Sequence, residues 1–86
     1  ILNNGEWGAV RHSVTGLFPD GAASRANAMP LTGLSPSPEF CKVAEASNAW
    51  ARRVSHPNEL RPALDAALAV VRNDRRCALL NVEIAG

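Results

Sequence analysis

The sequence predicts a small α/β fold, a parallel sheet with flanking helices, and three observations carry that expectation. Short apolar runs at Ile1–Leu2, Trp50–Val54 and from Cys77 through Leu80 and Val82 to Ile84 read as strands. Helical spacing stands between them, most clearly at Leu60, Leu64, Ala67, Leu68 and Val71. Strands joined through helices rather than tight turns pair in parallel, with right-handed crossovers.

Ile1 and Leu2 read as the end of a buried strand that breaks into a turn at Asn3, Asn4 and Gly5. Trp7 to Val14 can form a short helix, which Gly8 and two β-branched valines weaken. From Thr15 to Pro36 the chain carries Gly16, Pro19, Gly21, Pro30, Gly33 and Pro36 and loses any hydrophobic period, so it reads as a long loop. Such a loop is either a connecting segment or a mobile cover over a site. Ser37, Pro38 and Glu39 form a helix start, with serine as N-cap and proline at the first helical position. Phe40, Val43, Ala44 and Ser47 then share one inward face, and Asn48 can close that helix in the left-handed conformation. Trp50 to Val54 is a short strand, and Trp50 and Phe40 are expected as core aromatics. His56 and Pro57 turn the chain into the next helix, whose first turn should hold Pro62, because a deeper proline breaks the hydrogen-bond ladder. Asn73 and Asp74 end it, and the last strand alternates only partly, as expected if both of its faces are covered.

A chain of 86 residues supports one small core. With 47% hydrophobic and 20% charged residues it falls in the globular class. Nine Lys and Arg against eight Asp and Glu give a net charge of +1, which argues against nucleic acid or an anionic membrane surface as the main partner. No apolar run approaches the length that spans a bilayer, and no signal peptide opens the sequence, so a cytoplasmic location is the expectation. Cys41 and Cys77 lie far apart in apolar surroundings and are expected as buried, reduced thiols. Because the chain begins at Ile1 and its one methionine is Met29, it reads as a piece of something longer.

Asn3, Asn4 and Gly5 follow a strand at its carboxyl end, where parallel α/β sheets place their ligands. An Asn side-chain carbonyl and a main-chain carbonyl in the turn are hard oxygen donors suited to magnesium held with phosphate oxygens. The same three residues also make an ordinary turn. His12 and His56 have the chemistry of general bases, with surface roles as the alternative. Arg52-Arg53 and Arg75-Arg76 read either as a phosphate patch or as solvated strand and turn ends.

The run Ile1-Leu2-Asn3-Asn4-Gly5-Glu6-Trp7-Gly8-Ala9-Val10-Arg11 resembles the closing half of the thiamine diphosphate motif that opens with Gly-Asp-Gly and ends in Asn-Asn. Leu34-Ser35-Pro36-Ser37-Pro38-Glu39-Phe40 and the final helix and strand extend the resemblance to the C-terminal end of the acetolactate synthase and benzoylformate decarboxylase superfamily. The resemblance implies that residues 1–86 are the C-terminal portion of a diphosphate-binding domain, with the rest of the domain and enzyme upstream. It implies thiamine diphosphate and Mg2+ as cofactors and a 2-oxo acid as substrate. A homodimer or homotetramer is implied for the full-length enzyme.

Carried over residue by residue, Asn4 would give magnesium its side-chain oxygen and Glu6 its main-chain carbonyl. Trp7 and Gly8 would lie along the diphosphate, with backbone N–H groups facing the anion, and Ala9 and Val10 would face the substrate. The Gly-Asp-Gly half and the glutamate that activates the cofactor are not in this sequence, so the piece alone is not expected to catalyse. Val10 stands where pyruvate decarboxylases carry an acid, and Arg11-His12-Ser13 stands where acetolactate synthases carry a tryptophan. Ala9 and Val10 resemble the benzoylformate decarboxylase type. The competing expectation is a stand-alone α/β binding or interaction module without catalysis.

Overall fold

The computed structural model describes residues 1–21 and 32–85. They fall into two compact units, Ile1–Asn3 with Pro38–Ala85 and Asn4–Ser37.

The first unit is a three-stranded parallel sheet built from β1 (Leu2–Asn3), β2 (Trp50–Val54) and β3 (Ala78–Glu83), in the order β1-β3-β2. Parallel pairing of all three strands is as the strand and helix alternation predicts. Trp50 through Val54 pair with Ala78 through Val82, and Leu2 and Asn3 pair with Val82 and Glu83. The central place falls to β3, the longest strand, whose residues are buried or half-buried up to Val82.

Two helices pack on this sheet, α2 (Phe40–Ala46) and α3 (Pro57–Ala69). Successive strand side chains point to opposite faces. Val54 and Val82, which are register partners, share a cavity wall with Leu60 of α3, while the next pair, Arg53 and Asn81, faces the other way. There Arg53 reaches Glu39, the residue before α2. Among the described residues, the buried hydrophobic side chains of this unit are Ala44, Val54 and Ala63. Asn81 is 1% exposed, and its Oδ1 has no partner among the described residues.

Several local expectations are corrected. The first strand is not buried: Leu2 is 75% exposed, because β1 is a two-residue edge strand. The helix after the Pro-rich stretch starts at Phe40 rather than at Ser37, with Glu39 as a cap that makes no side-chain hydrogen bond to it. The Glu39 carboxylate is drawn to Arg53 instead. Of the face expected to pack inward, Ala44 is buried and Phe40 half-buried, but Val43 and Ser47 are exposed. Asn48 does adopt the left-handed conformation, at φ 64°.

Pro62 lies in the second turn of α3, since Pro57 takes the helix start. The bond it cannot donate would go to the carbonyl of Asn58, an exposed first-turn residue open to water. Leu60, Leu64, Leu68 and Val71 are all more than a third exposed, and the buried residue of this helix is Ala63, flanked by half-buried Ala66, Ala67 and Val70. Small residues let the helix lie close to the sheet, which leaves the leucines along its flank. A π-helical turn, Val70–Asp74, carries the chain to Arg75 in the left-handed conformation at φ 52°. Both thiols are free, but Cys77 is exposed and Cys41 only half-buried, so neither is a core thiol. Trp50 is half-buried beneath the Arg52 guanidinium, 4.9 Å from its ring centroid, and is not an enclosed core aromatic.

In the second unit, α1 (Gly8–Leu17) runs three residues past Val14. Thr15 and Gly16 therefore belong to a helix and not to the expected loop. Thr15 Oγ1 donates to the Arg11 carbonyl at 3.0 Å, and the helix stops at Phe18, ahead of Pro19. Part of the stretch expected as a mobile cover, residues 22–31, lies outside the described residues. Its end is tied down, with Thr32 3% exposed and Gly33 paired to Glu6 in an antiparallel bridge.

Candidate functional site

Asn4 to Gly8 is a turn fixed by its own polar groups. Gly5 has φ +72°, which glycine adopts without strain, and a Cβ there would meet nothing within 4 Å, so conformation rather than space selects glycine. The Asn4 Oδ1 accepts the Glu6 N–H at 3.2 Å, the local bond by which Asn closes a turn on its own backbone. The Trp7 N–H donates to the Thr32 carbonyl at 2.7 Å, and the Leu34 N–H donates to the Gly5 carbonyl at 2.8 Å. These two bonds bracket Glu6 and leave its own carbonyl outside the bridge.

The first bond of α1 runs from the Arg11 N–H to the Trp7 carbonyl at 3.1 Å. The N–H groups of Gly8, Ala9 and Val10 precede it and have no helical carbonyl to reach. No acidic residue stands in this first turn and no side chain caps it. The positive end of the helix is therefore open to an anion.

A Cβ on Gly8 would lie 3.1 Å from Asn4 Nδ2 and 3.6 Å from Glu6 Oε1. The Asn4 and Glu6 side chains thus converge on the bare side of Gly8. The Glu6 Oε2 pairs with Arg11 Nη1 at 3.4 Å, while its Oε1 is buried without a partner among the described residues.

The structure brings Asn4, Glu6 and Gly8 together. Trp7 is 58% exposed and its N–H donates to the Thr32 carbonyl, so the helix-start donors expected to face an anion are those of the first turn of α1. Ala9 and Val10 are exposed on that turn, and His12 is exposed farther along the helix. His56 heads α3 in the sheet unit, where Glu59 Oε1 accepts its backbone N–H at 2.9 Å and that of Ser55 at 3.4 Å. Of the arginine pairs, Arg53 binds Glu39 and Glu83, Arg52 lies over the Trp50 ring, and Arg76 donates to the Asn48 carbonyl. Sequence reasoning missed the Glu6–Arg11 pair and the Thr32–Leu34 brace. The acid before a helix and the base in its first turns were a readable signal for the pair, while nothing local marks Thr32 as the brace.

A cavity of about 210 Å³ opens at the carboxyl ends of β2 and β3, among Val54, Leu60, Val82 and Ile84 with Ser55, His56 and Glu83. It is mostly apolar, and at the start of α3 the Glu59 carboxylate already accepts the Ser55 and His56 N–H groups.

The donor set of the turn fits a hard cation held with phosphate. Asn4 Oδ1 keeps a lone pair beside its hydrogen bond, the Glu6 carbonyl stands outside the bridge, and Glu6 Oε1 lacks a donor. The bare Gly8 and the open helix start suit the anion. Among the described residues no three His, Cys, Asp or Glu side chains gather at one metal position. A cation at the turn would need further oxygens from elsewhere, such as the phosphate and water that commonly complete magnesium.

The protein-family model described as thiamine pyrophosphate enzyme, C-terminal TPP binding domain, matches residues 1–82. No curated protein and no solved structure matches the chain. A family match over nearly the whole chain leads to one conclusion: this chain belongs to the thiamine pyrophosphate enzymes, as a C-terminal TPP-binding domain.

Proposed function

We propose that the chain is the C-terminal portion of the diphosphate-binding domain of a magnesium-dependent enzyme acting on 2-oxo acids, by decarboxylation or by acetolactate-synthase-like carboligation. The observation that carries this reading is the Asn4–Gly8 turn, where oxygen donors and an open helix start meet within the matched residues. Asn4 Oδ1 and the Glu6 main-chain carbonyl hold Mg2+. Gly8, lacking a Cβ, lets the diphosphate approach the first turn of α1, whose free N–H groups receive it. Trp7 contributes by its bond to Thr32, which fixes where that turn begins.

Ala9 and Val10 form an apolar surface on the same turn, against which the substrate lies. Val10 has no proton to give or take, so proton transfer falls to groups elsewhere in the enzyme. When bound, thiamine diphosphate supplies a carbon nucleophile for the keto carbon and accepts the electron pair released with carbon dioxide. The full-length enzyme works as a cytoplasmic homodimer or homotetramer. The test is calorimetric binding of thiamine diphosphate to the whole enzyme over a range of Mg2+ concentrations. Asn4→Ala is expected to weaken cofactor binding and raise the Mg2+ requirement, and unchanged dissociation constants for both would reject the assignment.

A further inference from the structure

Glu6 carries more than the main-chain carbonyl that the site reading uses. Its side chain is 15% exposed, one carboxylate oxygen pairs with Arg11 at 3.4 Å, and the other is buried without a donor among the described residues. A buried carboxylate oxygen left without a partner is costly, and the cost persists because the Asn4 bond and the bridge to Gly33 fix the backbone of Glu6. The orphaned oxygen does not point at random. It lies 3.6 Å from the position a Gly8 Cβ would take, the same position that Asn4 Nδ2 approaches to 3.1 Å.

We propose that the Glu6 carboxylate is a positioning residue of the metal site, with Oε1 accepting a hydrogen bond from the hydration shell of the magnesium held by Asn4 and the Glu6 carbonyl. The inference rests on the site reading above and extends it to a side chain to which that reading gives no role. Three physical points support it. Magnesium gives up its water reluctantly and keeps several molecules when bound, so an acceptor is needed close to the ligands. Carboxylates in that position orient the ligands and strengthen metal binding. Finally, Arg11 is 43% exposed and engages only Oε2, so Oε1 keeps its negative character on the side facing Asn4 and Gly8.

The test is a Mg2+ titration of thiamine diphosphate binding to the whole enzyme, followed by calorimetry, with Mn2+ binding by electron paramagnetic resonance as a readout independent of turnover. Glu6→Gln keeps the main-chain carbonyl and the side-chain shape, and is expected to raise the half-saturating Mg2+ concentration by about tenfold or more. Cofactor affinity at saturating Mg2+ should return to the wild-type value. Arg11→Met, which breaks the ion pair but leaves the carboxylate, should not raise the midpoint. If Glu6→Gln leaves the midpoint unchanged, or if Arg11→Met raises it equally, the carboxylate acts only through its ion pair and the proposal falls. Asn4→Ala separates the two levels: a raised midpoint there beside an unchanged one in Glu6→Gln overturns the Glu6 role alone, whereas an unchanged midpoint in Asn4→Ala overturns the site itself. Should Glu6→Gln fail to fold, Glu6→Asp keeps the charge but draws the carboxylate back by one methylene, and must move the midpoint in the same direction.

Discussion

In the sheet unit, the strands satisfy one another's backbone groups, and Ala44, Val54 and Ala63 close the space between sheet and helices. In the turn unit, α1 has no buried residue, and order comes from polar bonds: Asn4 to Glu6, Trp7 to Thr32, Leu34 to Gly5 and Glu6 to Arg11. The first arrangement tolerates apolar exchange as long as volume is kept. The second tolerates little, because each bond fixes an atom that is also a candidate ligand or bounds the place where one lies. Stability and ligand binding should therefore be separable by mutation.

The largest stability effect is expected at Val54, which is 2% exposed. Val54→Ala should cost about 2 kcal/mol in thermal unfolding of the whole enzyme and leave Mg2+ and cofactor affinity unchanged below the transition. A loss of cofactor affinity with stability intact would merge the two regions. Gly5→Ala comes next, because φ +72° costs a residue with a Cβ about 1–2 kcal/mol. Unlike Val54→Ala, it should also weaken the Mg2+-dependent binding, since Asn4 and Glu6 are placed by that turn. Glu59→Ala removes the acceptor for the Ser55 and His56 N–H groups at the start of α3 and should cost about 1 kcal/mol without touching the cofactor. Gly8→Ala should change stability least, gaining at most about 1 kcal/mol from the better helix former. Its Cβ meets Asn4 Nδ2 at 3.1 Å and Glu6 Oε1 at 3.6 Å, so metal affinity should nonetheless fall. A Gly8→Ala enzyme with wild-type Mg2+ affinity would show that the side chains do not need their present places.

How far the sequence discloses the molecule follows the same division. The parallel pairing of the strands was legible because apolar runs and helical spacing alternate along the chain, and Asn48 announced its left-handed conformation. The facing of helices was not, since Leu60, Leu64 and Leu68 have the spacing of a core stripe while the close helix–sheet contact selects Ala63. The start of α2 was misplaced because Ser37-Pro38-Glu39 has the residues of a cap, and only the structure shows Glu39 committed to Arg53. At the turn, Asn4, Glu6 and Gly8 could be picked out by position and motif. What holds them could not, because Thr32 and Leu34 are distant in sequence and their role is played by backbone groups that carry no residue signature.

The central claim, that the Asn4–Gly8 turn holds the cofactor's metal, is tested most directly by locating the metal. The whole enzyme would be crystallised with thiamine diphosphate and Mn2+, and the anomalous signal of manganese recorded. The account predicts a peak about 2.1 Å from both Asn4 Oδ1 and the Glu6 main-chain oxygen, with the diphosphate at the start of α1. A metal and diphosphate bound elsewhere, with Asn4 Oδ1 still closed on the Glu6 N–H and no peak beside it, would contradict it.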